Sequence, residues 1–109
     1  MKIKSGRHYF NVTPCTNLFQ QIIGLMFRFP KNDGLIFIFK KEKYVSLHTL
    51  FVFFPIDIIY LDKNKKIIKL LKKVKPFTLL IPYTKCRYII ELKDSKKISS
   101  KTKISFKYS

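Results

Sequence analysis

The sequence predicts a mainly β fold: a small β-sandwich or barrel with one short packed helix at about residues 17–27. Three observations predict it. Ala is absent and Gly occurs three times, whereas Ile, Phe, Tyr and Val are abundant, and β-branched and aromatic side chains suit a pleated sheet. Short apolar runs alternate with turn-forming residues along the chain. Only one segment carries convincing helical spacing. With 109 residues, 47% of them hydrophobic, residues 1–109 have the size and apolar content of a single domain with a real core.

Tyr9–Thr13 reads as a short strand. Thr13-Pro14 has the form of a helix start, with Thr as N-cap and Pro in the first turn, and Asn17 is a second candidate cap. Leu18, Ile22, Leu25 and Met26 then recur on one helical face. Lys31–Gly34 reads as a turn in which Gly34 can take positive φ. Leu35–Phe39 is a continuous apolar run, short enough for a strand buried on both faces. Lys40–Lys43 reads as a charged turn. Tyr44–Phe54 and Ile56–Leu61 read as strands meeting at Pro55, which cannot donate to a ladder and so marks an edge, bend or bulge.

Asp62–Lys65 reads as a tight hairpin loop with Asn64 as the left-handed residue. Lys65–Lys75 fits two periods. Ile67, Leu70, Leu71 and Val74 suit an amphipathic helix of the membrane-surface kind, while Ile68, Leu70 and Val74 suit a strand. The tight loop before it favours the strand. Phe77–Ile81, Tyr88–Lys93 and Lys103–Lys107 read as further strands, and Asp94–Thr102 as a polar, basic surface loop.

The formal charge is +17, distributed as +4 over residues 1–62 and +13 over residues 63–109. Such a half can bind nucleic acid, an anionic membrane or an acidic partner. Coding bias offers a plainer source, because 20 of the 23 basic residues are Lys, and Lys, Ile, Phe, Tyr and Asn share A/T-rich codons. Arg, the preferred fork for phosphates and guanine edges, occurs only at Arg7, Arg28 and Arg87. Cys15 and Cys86 are too few for a disulfide framework or a zinc site and read as free buried thiols. Neither a signal-peptide h-region nor an apolar run of membrane-spanning length is present. The expectation is a cytoplasmic monomer without cofactor or metal.

GLMFR (Gly24–Arg28), DGLIFIF (Asp33–Phe39), HTLFVFFPIDIIYLD (His48–Asp62), VKPF (Val74–Phe77) and YIIEL (Tyr88–Leu92) occur in an order that resembles the domain of unknown function 192 family, also called uncharacterised protein family 0127. The resemblance covers about Val12 to Phe106 and is closest to short archaeal, prokaryotic members without a leader. It implies a compact, mostly β domain with a short helix bearing the GLM motif, and implies no activity, ligand or partner. The chain departs from the family pattern in lacking any Trp. It also carries Lys, Ser and Thr in Asp94–Lys103 where glycines are usual.

Asp57 heads the candidate site residues. It is either a pocket carboxylate acting with His48 and Arg28, or a structural group paired with Arg28 or bonded to backbone N–H groups. A charge buried alone costs several kcal/mol, so a partner is expected. Glu91 reads as a cross-strand ion pair with lysines. Tyr83, Lys85, Arg87 and Tyr88 form the candidate aromatic, basic face. Two functional classes follow. One is a non-enzymatic binding module whose basic face takes an acidic partner, nucleic acid included. The other is a small-ligand or enzymatic pocket around His48, Asp57 and Arg28.

Overall fold

The computed structural model describes residues 1–15, 33–47, 55–75, 81–95 and 98–107. The fold is mainly β, as predicted. Among the described residues seven strands form one curled sheet, a half-barrel, in the order β5-β4-β6-β3-β2-β1-β7. They are β1 (Lys2–Ser5), β2 (His8–Cys15), β3 (Gly34–Leu47), β4 (Ile56–Leu61), β5 (Ile67–Val74), β6 (Ile81–Leu92) and β7 (Ile104–Ser105). All pairings are antiparallel except β2 with β3. The predicted helix at 17–27, the strand residues 48–54 and most of the strand predicted at 77–81 lie outside the described residues.

The central strands are buried on both faces, which explains their near-continuous apolar runs. Side chains alternate between faces along a strand. One cluster therefore gathers Ile36, Ile38, Ile59, Leu61, Ile90 and Leu92 with Ile3, Phe10, Ile104 and Phe106 from the far end of the sheet. Residues of both ends meet in one cluster because the sheet curls. The other face carries Leu35, Phe37, Phe39, Ile58, Tyr60, Cys86 and Ile89. Cys86 is free and buried, as its sequence reading expects; burial pushes its thiol up to about 11, with Glu42 adding to the rise.

Several local readings change. β1 was not anticipated. Lys2–Ser5 alternates, and Gly6 at φ 59 turns it back onto β2. Pro14 lies inside β2 rather than opening a helix. It is tolerated because pairing with β1 ends at Asn11, leaving that side of β2 an edge. Gly34 does not adopt a positive φ. It is needed for close approach, since a Cβ there would be driven into the Glu91 carbonyl oxygen.

The turn predicted at Lys40–Lys43 is instead an excursion within β3, with Phe39–Glu42 opposing Arg87 alone. Lys65, not Asn64, is the left-handed residue of the hairpin loop, at φ 63. This is the three-residue loop that ends in a left-handed position. Lys65–Lys75 holds a strand, β5, paired with β4, so the membrane-surface helix has no basis. Asp94–Thr102 is not wholly a surface loop: Ser95 and Ile98 are buried.

Candidate functional site

Asp57 is 1% exposed, on the same face as Ile59 and Leu92. Opposite it, β5 inserts two residues, Lys72 and Lys73, against one of β4. Lys73 takes a positive φ of 54. The bulge takes the Lys73 N–H out of the ladder, and it donates to Asp57 Oδ1 at 2.8 Å. Just past the end of β6, the Ser95 N–H donates to Oδ2 at 2.7 Å. Burial raises the carboxyl pKa. Ser95 and the Lys73 N–H and charge outweigh that and hold it below the ordinary value. Arg28 and His48 lie outside the described residues. Both Asp57 oxygens are engaged by backbone, and the residue lines neither of the two hollows described next.

The hairpin after β4 is braced by Asp62. Its Oδ1 accepts the N–H groups of Asn64 at 2.8 Å and Lys66 at 3.0 Å, and its carbonyl accepts that of Lys65 at 3.0 Å. This turn aims Lys65 at the other end of the curled sheet. Its Nζ donates to the Phe106 carbonyl at 2.6 Å and stands 4.4 Å from the Phe106 ring centroid. The segment before β7 is fixed by its own turns, with the Ile98 N–H on the Ser95 carbonyl and the Thr102 N–H on the Ser99 carbonyl.

Between these two rims lies a groove of about 720 Å³. Lys4, Lys65, Lys66, Lys101 and Lys103 line it, together with Asn64 and the hydroxyl residues Ser100, Thr102 and Ser105. No Asp or Glu is among its described lining. Five lysines lining one concavity give it a positive potential that favours anions.

Lys65 also lines a second hollow of about 350 Å³ with Lys40, Arg87, Tyr88 and Phe106. Tyr88 meets Phe106 edge-on at 5.0 Å, and the Arg87 guanidinium stands 4.8 Å from the Tyr88 ring centroid. Arg87 Nη1 is buried and has no hydrogen-bond partner among the described residues.

Of the sequence-derived face, Arg87 and Tyr88 come together here. Lys85 sits farther along β6, exposed and opposite Tyr44, and the side chain of Tyr83 lies outside the described residues. The five groove lysines were not singled out from sequence. They span from position 4 to position 103, and no local pattern joins them. Among the described residues no helix is long and apolar enough to cross a membrane, and no three His, Cys, Asp or Glu side chains form a metal-binding group.

The DUF192 family model, described as "Uncharacterized ACR, COG1430", matches residues 1–105. A UPF0127 protein of Pyrococcus horikoshii is 36% identical over 74 residues, 66% of this chain and 63% of the relative. A UPF0127 protein of Pyrococcus furiosus is 36% identical over 77 residues, 69% and 65% of the two chains. The chain thus spans less than two thirds of either relative's length. A solved protein of unknown function from Novosphingobium aromaticivorans superposes with a TM-score of 0.86 at 18% identity, covering 97% of this chain and 84% of that one. That likeness concerns the fold alone.

Proposed function

We propose that this chain, which belongs to the DUF192 family, is a non-enzymatic binding module that takes an acidic partner in its lysine-lined groove. One observation carries the reading: five lysines and no described carboxylate surround about 720 Å³ of open space. Lysines that merely coat a surface have no reason to converge from the first strand, the central hairpin and the segment before the last strand. Arg87 and Tyr88 extend the binding face beyond Lys65.

The test is salt-dependent binding to heparin. Affinity should fall as salt rises, because bound counterions are released when lysines engage the polyanion. The triple substitution Lys66→Gln, Lys101→Gln, Lys103→Gln should flatten the salt slope by roughly two to three, about one per lost contact. Lys41→Gln, Lys43→Gln, Lys93→Gln removes the same charge outside both hollows and should leave most of the slope in place. Equal losses from the two triples would mean that net charge alone acts, and the groove reading would fall.

A further inference from the structure

We infer that the acidic partner is a single-stranded nucleic acid, held by its phosphates on the groove lysines and by a base stacked on Tyr9; this rests on the anion-binding reading above. Tyr9 is 58% exposed in the middle of the β1–β2 ladder, directly opposite Lys4 in register. The Nζ atoms of Lys2 and Lys4 stand 5.6 and 5.9 Å from its ring centroid. A large ring on a paired backbone, open to solvent and flanked by two cations, is the pairing of stacking surface and charge that single strands use.

The hollows and the ring form a path. Lys4 belongs to both the Tyr9 platform and the groove, and Lys65 belongs to both the groove and the Arg87–Tyr88 hollow. A compact anion would use one of these places. A linear polyanion with a charge on every repeat would use all three. An acidic peptide supplies the charges but no flat face for Tyr9, and a duplex hides its base faces in the stack. Lysine also fits the inference. With 20 Lys and three Arg, the chain is equipped to neutralise phosphates as point charges rather than to read guanine edges. Binding should therefore tolerate any sequence, with Arg87 clasping one phosphate.

Fluorescence anisotropy on the full chain tests this with four probes: a thymidine strand of about 12 nucleotides, an abasic strand of the same length, a duplex, and polyglutamate of matched charge. The thymidine strand should bind about tenfold tighter than the abasic one. Tyr9→Ala should erase that gap while leaving abasic binding unchanged, Tyr9→Phe should keep it, and Tyr44→Ala, at a ring 70% exposed that lines neither hollow, should not alter it. The inference is overturned if Tyr9→Ala leaves the gap intact or no gap exists. It is equally overturned if Tyr44→Ala costs as much, or if duplex or polyglutamate binds as tightly. In each of those cases, salt-dependent abasic binding would leave the groove reading standing. If no polyanion binds at all, the groove reading falls first and takes the inference with it.

Discussion

Asp57 and Glu91 are both buried carboxyl groups, on β4 and β6, one ladder position apart. Asp57 pairs with Leu92, and Glu91 pairs with Ile58. Alternation sends them to opposite faces of the sheet, and their circumstances are opposite too. Asp57 meets a bulge in β5 and a turn after β6, which give it two backbone N–H donors, and it stays charged. Glu91, 6% exposed, stands opposite Leu35 and Ile58 in the ladders. Burial pushes its carboxyl up to about 7. Depth of burial does not separate the two groups. What does is whether irregular backbone nearby has N–H groups to give.

The largest expected effect breaks the satisfied member. Asp57→Ala leaves the Lys73 and Ser95 N–H groups unpaired in the interior and should cost about 3–5 kcal/mol in urea unfolding at pH 7. The sign of its pH dependence follows from a lowered folded pKa. The stabilisation is present above the unfolded value near 3.8 and is lost as pH falls through the folded one. An Asp57→Asn chain should accordingly show a shallower acid-unfolding limb below pH 4 than the wild type. An unchanged limb would mean that Asp57 is not the group that titrates.

Glu91 behaves in the opposite sense. Its folded pKa is raised, so the wild type is favoured below the ordinary value of 4.5 and loses stability as pH rises through about 7. Glu91→Gln removes the ionisation. It should raise stability by about 1–3 kcal/mol at pH 8 and change little at pH 4, which thermal unfolding at the two pH values would resolve. A uniform gain or loss at both would contradict the assignment. The smallest effect sharpens the role of the bulge. Lys73→Gly keeps the N–H that Asp57 needs while relieving a left-handed φ of 54. It should stabilise the chain by about 0.5–1 kcal/mol.

Legibility followed the range of the interaction. Ile56–Leu61 was delimited correctly because its punctuation is local: Pro55 before it and an Asp-led loop after it. The Lys-rich segment that fits both helix and strand periods became a strand because β4 was there to pair with it. Bulges were not readable. The Phe39–Glu42 excursion and the Lys72–Lys73 insertion are mismatches between two strands, and neither strand shows a mismatch alone. β1 was readable and missed: in Lys2–Tyr9 the alternation and Gly6 together form a hairpin signal. The groove had no signal, since its lysines look like any others until a curled sheet brings the hairpin after β4 against the segment before β7.

By itself the sequence determined the chemical alphabet of this protein: β-forming side chains in short runs, a family resemblance carried by five ordered motifs, and an excess of lysine too large for the fold to hide. Those are properties of composition and near-neighbour order, and short-range sterics and hydrophobic burial act on them directly. The tertiary structure alone decided which charges matter. It gave Asp57 its two backbone donors and buried Glu91 deeply enough to raise its carboxyl, and it placed Lys4, Lys65 and Lys103 around one groove beside an exposed Tyr9. Electrostatic interactions depend on distance and on the surrounding medium, and both are set only when strands distant in sequence become neighbours.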